Sequence, residues 1–239
     1  MIKGVASLTE SHFLIKFIYY MKSLGLMSKS RARSPEAKDK QIQRIITEAR
    51  ELFYEVGTTG FSMRALAKRL DMSQSNLYNY YSSKRTLWFE IMRRDFTDLR
   101  NQIQPIVLNH KGTSIELLEK LTDFYFDFAE SNYRRYKLMF VLPPPPAEGQ
   151  PSEDEKFVPQ KTLKLLNWIE SALAQGLSKD IDSNKLSLYL WSVIHGTVLL
   201  TNTILFDPDY SISNFGSKIE FKDFVKEQLK KQLSQLIKD

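Results

Sequence analysis

The stretch Phe61–Leu87, FSMRALAKRLDMSQSNLYNYYSSKRTL, decides the fold. Ser62 is a good helix N-cap, because its hydroxyl can accept a backbone N–H, and apolar residues follow it at positions i, i+3, i+4 and i+7. Asp71 comes next, at a turn where a short polar residue tolerates left-handed backbone. Ser73 can cap a second helix. We therefore predict two short helices and a tight turn over residues 62–81. The apolar face of the first helix consists of Met63, Leu66, Ala67 and Leu70.

The second of these helices is rich in side chains that hydrogen-bond nucleic acid. Gln and Asn can pair bidentately with adenine, while Ser and Tyr can reach bases or phosphates. Leu77, together with Tyr80 or Tyr81, can face inward. The pattern is typical of a DNA-binding helix-turn-helix. The predicted DNA-binding residues are Ser62, Arg64, Ser73, Gln74, Ser75, Asn76, Tyr78, Asn79, Tyr80 and Lys84.

The same region resembles the tetracycline-repressor (TetR) family of transcriptional regulators. The resemblance runs in order through IITEARELFYEVG (45–57) and TTGFSMRALAKRLDMSQSNLYNYYSSKRTLW (58–88). Two positions depart from the residues that are usual in the family. Tyr81 stands where a Phe is usual, and Asp71 stands in the turn where a Gly is usual. The resemblance is strong over residues 39–99 and looser elsewhere. It implies an all-α fold, with a three-helix DNA-binding domain followed by a larger helical domain that binds an effector and dimerises.

Charge and composition agree with that function. The chain has 239 residues and a net charge of +6, and residues 28–100 hold 15 Lys and Arg against 9 Asp and Glu. A positive excess on the DNA-binding part would neutralise phosphates. The alternative is that the positive excess is only a generic basic surface with no role in binding DNA. A helical interaction protein that has lost DNA binding would instead show a neutral or acidic surface there, whereas the basic side chains remain. They are Arg64, Lys68, Arg69, Lys84 and Arg85.

The sequence lacks the residue patterns that metal sites, phosphate-binding loops, catalytic sites and membrane spans require. It contains no Cys, and its three His, at positions 12, 110 and 195, are too scattered for a local metal-binding pattern. No Gly-rich phosphate loop and no nucleophile–base pair are evident, so we predict no catalytic residues, no metal, no cofactor and no enzyme activity. No apolar run reaches the ~18–20 residues of a membrane span. We expect a cytoplasmic protein without a membrane partner.

The two ends of the DNA-binding region suggest three segments. Residues 1–38 are predicted to be a flexible extension, whose basic part before Pro35 could touch DNA or remain solvated. Met27 is a plausible alternative start, and a short amphipathic helix before it is also possible. Residues 39–99 are the predicted DNA-binding domain, and residues 100–239 the effector-binding and dimerisation domain.

The rest of the chain is predicted to be helical. Apolar periodicity indicates one helix before Gly57 and another from Ser82 or Ser83 to near Pro105. Thr113 and Glu116 form a capping box for the next. Further helices are expected over residues 133–142, 156–177, 182–206 and 217–237, with loops over 143–155 and 207–216.

The last two predicted helices have apolar faces that could form either a homodimer interface or internal core. By resemblance, they form a four-helix bundle between two copies, which would bind two half-sites of a palindromic operator. These apolar residues are Leu190, Val193, Ile194, Val198, Leu199, Leu205, Phe221, Phe224, Val225, Leu229, Leu233, Leu236 and Ile237.

Aromatic residues in the C-terminal part provide a candidate effector pocket, although such a stripe is more often plain core. Trp191, His195 and Gly196 also resemble a TetR subgroup named for Trp-His-Gly. There His195 is either a hydrogen-bonded packing residue or a ligand contact, and Gly196 allows close helix approach. We predict a hydrophobic or aromatic small-molecule effector. The predicted effector-binding residues are Tyr125, Tyr136, Met139, Trp168, Trp191 and His195.

Overall fold

A computed structural model describes residues 34–147, 182–209 and 214–236, and by its internal contacts the chain divides into two units, residues 1–42 and 43–239. Within the described ranges every regular element is a helix, as predicted. None of these helices is long and apolar enough to span a membrane. The helices are α1 Pro35–Gly60, α2 Met63–Arg69, α3 Gln74–Tyr78, α4 Lys84–Leu108, α5 Ser114–Ser131, α6 Tyr133–Phe140, α7 Ser183–Thr201 and α8 Lys218–Leu236.

Parts of the prediction lie outside the described residues. Among them are the extension up to residue 33, including Met27, the predicted helix over residues 156–177 with Trp168, and Ile237 of the last helix. The division at residue 99 stays a prediction. It falls within the continuous helix α4.

Helix α1 is interrupted where the sequence predicted its end. Gly57 has φ 70° and ψ 176°, a backbone conformation that favours glycine, and helical residues continue as far as Gly60. The change of direction brings Phe61 onto Phe53, with ring centroids 3.8 Å apart. Val56, predicted on the apolar face, lies beside this break and is exposed. The buried residues of α1 are Ile45, Ile46, Ala49, Leu52, Phe53 and Thr58.

Helix α4 extends one turn further than predicted. Pro105 lies inside it, and the helix ends only at Leu108, with Asn109 as the C-cap. Proline removes one backbone donor and usually kinks a helix, yet an interior position is tolerated where surrounding contacts hold the segment. In the same helix Ile103 is buried, so the turn before Pro105 is packed against the core.

Helices α5 to α8 pack together in the C-terminal part, with α5 in contact with α4, α6, α7 and α8. The predicted capping box is present at the start of α5, where Thr113 and Glu116 bond reciprocally. Of the two caps that the sequence allows for α7, Asp182 and Ser183, the structure has Asp182, and α7 ends at Thr201, one turn earlier than expected. Residues 202–206 form turns.

The structure separates core from surface among the apolar residues of α7 and α8. Many of those considered for a dimer interface are buried within the single chain: Leu190, Ile194, Val198, Val225, Leu229 and Leu233. Others, most of which the sequence did not single out, are exposed: Leu188, Tyr189, Leu200, Ile204, Ile219 and Phe224. The first group forms core, and the second is exposed and able to contact a partner. The other described residues of the predicted faces are half-buried: Val193, Leu199, Leu205, Phe221 and Leu236.

Candidate functional site

Helix α3 presents the predicted DNA-contacting face. The Ser73 hydroxyl accepts a hydrogen bond from the Asn76 backbone N–H at 3.2 Å, which fixes the start of the helix. Leu77 and Tyr81 are buried and hold the helix against the core, so Tyr81 rather than Tyr80 is the inward aromatic. Asn76 and Tyr80 are half-buried. The fully exposed members of the face are Ser73, Gln74, Ser75, Tyr78 and Asn79.

Helix α2 supplies part of a basic rim. Its N-cap Ser62 accepts from the Ala65 N–H at 3.1 Å. Arg64 and Lys68 are exposed, and within the described residues neither has an ion-pair partner. Arg69 differs, because its guanidinium binds Glu48 at 2.8 Å and Glu55 at 2.7 Å. Both glutamates are on α1, and they neutralise the charge that the sequence had assigned to the DNA-facing rim.

The start of α4 lies beside these helices. Ser83 caps it by accepting from the Thr86 N–H at 3.0 Å. Lys84 is half-buried in the first turn and has no ion pair among the described residues. The Arg85 guanidinium lies over the Phe89 ring, 5.0 Å from its centroid, and donates to the Pro145 carbonyl. Arg85 therefore faces the protein, and Lys84 is the residue of this pair placed to reach a phosphate.

Helices α5, α6 and α7 bring four of the six predicted effector residues together. The ring centroids of Trp191 and His195 are 5.2 Å apart, those of Tyr136 and His195 5.6 Å, and those of Tyr125 and Tyr136 5.7 Å. Phe140 lies among them, 6.0 Å from Tyr125, 6.1 Å from His195 and 6.4 Å from Trp191. We call these five residues the aromatic cluster.

Phe140 is one of the aromatic residues from which the sequence predicted the effector pocket, although it was not among the six predicted contacts. It follows Tyr136 by four positions and so shares its face of α6. Met139 is buried on the same helix, and Trp168 lies outside the described residues.

The polar atoms of the cluster are hydrogen-bonded to each other. Trp191 Nε1 donates to the Tyr125 hydroxyl at 3.2 Å. That hydroxyl is 3.2 Å from the Tyr136 hydroxyl and 3.2 Å from His195 Nδ1. The Tyr136 hydroxyl also contacts His195 Nδ1. His195 is therefore a hydrogen-bonded packing residue, which does not prevent it from contacting a ligand with its other nitrogen.

Burial keeps the cluster uncharged at neutral pH. It raises the pKa of the Tyr125 hydroxyl to about 12, although hydrogen bonds from Tyr136 and Trp191 oppose this. Burial likewise raises the pKa of Tyr136, and the nearby Tyr125 adds to the shift. It lowers the pKa of His195, since a charged imidazole would lose solvation.

A buried carboxylate joins the DNA-binding helices to the helix that carries Tyr136. Asp95 of α4 is 2% exposed and binds the Arg50 guanidinium of α1 through two contacts, 2.7 Å and 3.2 Å. Arg135 of α6 contacts the same carboxylate at 3.2 Å, the Asp95 carbonyl at 3.2 Å and Asp98 at 2.7 Å. We call this group the Asp95 link.

Neighbouring contacts reinforce the Asp95 link. Arg134 binds Glu51 of α1 at 2.8 Å, and its guanidinium lies 4.7 Å from the centroid of the Tyr54 ring. Burial raises the pKa of Asp95, because its effect exceeds the opposing influence of Arg50 and Arg135. Sequence analysis missed this group, yet Asp95 stands four residues from both Ile91 and Leu99, which places an acid on an apolar helix face.

A separate groove lies between the end of α4 and α5. It has a volume of about 490 Å³. Its lining is mixed: Pro105, Ile106, Asn109, His110, Lys120, Asp123, Phe124 and Asp127. It includes none of the predicted effector residues. We therefore base the effector site on the aromatic cluster.

Comparison with known proteins places the DNA-binding helices in one family. Residues 45–91 match the family model "Bacterial regulatory proteins, tetR family". The chain is 24% identical over 192 residues to the HTH-type negative transcriptional regulator IcaR of the biofilm operon icaADBC in Staphylococcus aureus. That match covers 79% of this chain and 94% of IcaR.

Solved structures share the fold over most of the chain. The transcriptional regulator FadR of Bacillus subtilis, solved with stearoyl-CoA, has a TM-score of 0.60 at 16% identity. The match covers 78% of this chain and 96% of FadR. AibR, solved with isovaleryl coenzyme A and operator DNA, has a TM-score of 0.59 at 20% identity, covering 79% of this chain and 97% of AibR.

The family match coincides with the helices that place Ser73 and the face of α3. Residues 45–91 carry the DNA-binding domain of the bacterial tetR-family regulators, and the protein is a DNA-binding transcriptional regulator.

Proposed function

We propose that the protein is a ligand-responsive repressor that binds a palindromic operator as a homodimer. The observation that carries this proposal is the Asp95 link, because one buried carboxylate holds α1 of the DNA-binding helices and α6 of the aromatic cluster. Repression is inferred by likeness to IcaR, a negative transcriptional regulator. The site of action is the cytoplasm, where bacterial DNA lies.

We assign the reading of bases to α3. Its exposed side carries the amide and hydroxyl groups of Gln74, Asn76 and Tyr78, which can bond to base edges in the major groove. Arg64 and Lys84 flank it with charges that no described carboxylate neutralises, and these suit phosphate oxygens. Arg69 is omitted from this set because Glu48 and Glu55 bind it. The other proposed contacts are Ser62, Ser73, Ser75, Asn79 and Tyr80.

We assign dimerisation to the exposed apolar side chains of α7 and α8. Leu188 and Leu200 are exposed and lie on one i, i+4 ridge of α7, which winds by about 120° around the helix over these three steps. The exposed Ile204 follows in the segment after α7. A single helix-turn-helix contacts few base pairs, so readers of this class pair up and bind two half-sites about 34–36 Å apart. Family members typically dimerise through these helices.

We place the effector at the aromatic cluster, with Met139 and Trp168 as further candidates. The cluster offers apolar walls and a few polar atoms, which is the usual composition of a small-molecule site. Trp191, His195 and Gly196 also support membership of the Trp-His-Gly subgroup. FadR and AibR were solved with acyl-CoA ligands, which supports a site for an organic effector in a fold of this kind.

We propose that the Asp95 link carries the signal. Arg135 directly precedes Tyr136 of the cluster in the chain. A ligand that moves Tyr136 therefore also moves the Arg135 guanidinium that is bound to Asp95. Arg50 then transmits the displacement to α1, whose Glu48 and Glu55 bind Arg69 of α2. A ligand that favours one arrangement of this link shifts the dimer between states that bind and release DNA.

Operator binding tests the DNA-contact assignment. Genome-wide binding by the purified protein would first supply the operator. Asn76→Ala should then relax base preference at one position, by ~1–3 kcal/mol. Lys84→Ala should weaken binding to all sequences alike and flatten the salt dependence, because one phosphate contact is lost.

Lys111→Ala is the matched control, since Lys111 is exposed but lies beyond the DNA-binding helices. It should leave both properties unchanged. Wild-type affinity and salt dependence in both the Asn76 and Lys84 variants would show that α3 and the start of α4 are not the contact surface.

A further inference from the structure

The hydrogen bonds of the aromatic cluster determine which nitrogen of His195 carries its proton. Trp191 Nε1 can only donate, so the Tyr125 oxygen accepts from it. Two hydroxyl hydrogens remain, on Tyr125 and Tyr136, and the acceptors within reach are each other's oxygens and His195 Nδ1. Both hydrogens find an acceptor only if Nδ1 is unprotonated. With a proton on Nδ1, one of the two hydroxyls has no acceptor within the cluster.

The proton of a neutral His195 therefore lies on Nε2. Burial supports the neutral form, because it lowers the pKa of the imidazole. Among the described residues Nε2 has no hydrogen-bond partner, while Nδ1 has two. The half-buried ring thus keeps one N–H donor that no described residue uses, and its centroid lies 6.1 Å from that of Phe140 and 5.2 Å from that of Trp191.

The charges around the cluster limit what this donor can bind. Its own polar atoms are all uncharged, and Arg135, the cation next to Tyr136 in sequence, is bound to Asp95 and Asp98. Within the described residues, no cation of the cluster is free to pair with a carboxylate, and no carboxylate with an amine. An ion placed there would lose its solvation without gaining a partner.

We infer that the effector is an uncharged, largely apolar molecule with a hydrogen-bond acceptor, such as an ester or ketone carbonyl, held by His195 Nε2–H. This inference rests on the proposed effector site and adds the chemical class of its ligand. The aromatic rings bury the apolar body, and the single N–H orients the carbonyl. The corresponding carboxylic acid or amine binds more weakly, because each enters charged at neutral pH.

The first test needs no ligand. In protein labelled with ¹⁵N at histidine, imidazole ¹H–¹⁵N correlations distinguish the two neutral tautomers and the charged ring. The chain has only three histidines, and His110→Gln together with His195→Phe assigns the signals. We expect His195 to be neutral and protonated on Nε2 at pH 7. A proton on Nδ1, or a charged ring, would overturn the inference.

The second test uses three matched probes: methyl 2-naphthoate, 2-naphthoate and 2-ethylnaphthalene. We expect the ester to bind about tenfold more tightly than either of the others, the factor of one neutral hydrogen bond. His195→Phe should remove this preference while keeping an aromatic ring in place, and His110→Gln should retain it. Equal binding of acid and ester, no binding of the ester, or an unchanged preference in His195→Phe would each overturn the inference.

Operator affinity distinguishes this inference from the proposed function. If the ester binds through His195 but operator affinity does not change, the ligand class stands and the proposed ligand response fails. If operator affinity responds to a charged compound instead, the response stands and the ligand class fails. Melting temperatures of both variants without probe establish that each is folded.

Discussion

At the scale of single residues, Asp71 shows how the turn of the helix-turn-helix is made. It has φ 51°, and no other non-glycine residue in the described part of the chain has a positive φ. Its N–H donates to the Lys68 carbonyl at 3.2 Å, and the next N–H, of Met72, donates to Ala67 at 3.0 Å. These bonds satisfy the last carbonyls of α2 and so hold the left-handed residue in place.

Replacing Asp71 should reveal the cost of this backbone conformation. Asp71→Gly should leave the free energy of unfolding within ~1 kcal/mol of wild type, since glycine adopts positive φ freely but loses more entropy on folding. Asp71→Val should lower it by ~1–2 kcal/mol or more, because a β-branched residue is strained there. Urea unfolding measures both. Equal stability of the two variants would mean that the turn relaxes to another conformation.

Arg69 shows what a sequence cannot reveal at this scale. The sequence predicted correctly that Arg69 lies on the polar face of α2, since its side chain is exposed. Its partners Glu48 and Glu55 stand 21 and 14 residues earlier, however, and only the packing of α2 against α1 brings them within 2.8 Å. Helix caps are different. Ser62 and Ser73 bond within three residues, so the sequence was sufficient to predict them. For α4 the sequence left Ser82 and Ser83 as alternatives, and the structure shows Ser83 as the cap.

At the scale of elements, the Asp95 link fixes α1, α4 and α6 against one another. The link fixes the geometry of these helices more than it stabilises the fold. Burial raises the pKa of Asp95 by more than Arg50 and Arg135 lower it, so the ionised carboxylate is disfavoured in the folded state. A raised pKa in the folded state means that protonation favours folding. The associated stability is fully present below the unfolded pKa, near 3.8, and is lost as the pH rises through the raised folded pKa.

Arg135→Met tests the link directly. It leaves the ionised Asp95 with one guanidinium fewer, and at pH 7 we expect a loss of ~1–3 kcal/mol in the free energy of unfolding. The loss should shrink as the pH falls through the raised pKa of Asp95, because a protonated carboxyl no longer needs the cation. Urea unfolding of wild type and variant at neutral and acidic pH measures the difference.

Asp98→Asn is the matched control, since the half-exposed Asp98 contacts Arg135 but not Arg50. It should cost less than ~1 kcal/mol. If the loss in Arg135→Met is the same at both pH values, it comes from contact of the guanidinium with the Phe128 ring, 5.5 Å away, and not from Asp95.

At the scale of the whole molecule, the exposed apolar residues of α7 and α8 predict assembly. Leu200→Glu should yield a folded monomer that loses specific operator binding, because Leu200 is 41% exposed in the single chain. Leu229→Glu should instead unfold the protein, with a loss of several kcal/mol, on the order of that for other disrupted core leucines, because Leu229 is 2% exposed. Sedimentation at micromolar concentration, with melting curves, separates these effects.

Leu108→Glu is the control for the assembly test, since Leu108 is also exposed but lies at the end of α4. It should remain dimeric. A wild-type monomer at micromolar concentration, or a dimer that survives Leu200→Glu, would contradict the assignment of this surface.

The sequence could predict the class of the fold, but not whether each apolar residue packs inside the chain or contacts a second copy. Helical spacing predicts which side chains of α7 and α8 share a face. It does not tell whether that face meets the same chain or another, so Leu190 and Leu229 could be assigned only with coordinates. The aromatic cluster was largely predicted because Trp191 and His195 are four residues apart, whereas Asp95, Arg50 and Arg135 are joined only by the tertiary fold.

Gly196 was expected to allow close helix approach, but within the described residues nothing lies within 4 Å of the position that a β-carbon would take. The open side of this glycine continues the line of Leu188 and Leu200 on α7, so in the proposed dimer it lies where two backbones can cross. A methyl group there would act as a spacer between protomers and tilt them apart. Gly196→Ala is therefore a means of retuning the operator spacing that the dimer accepts without altering any residue that contacts DNA.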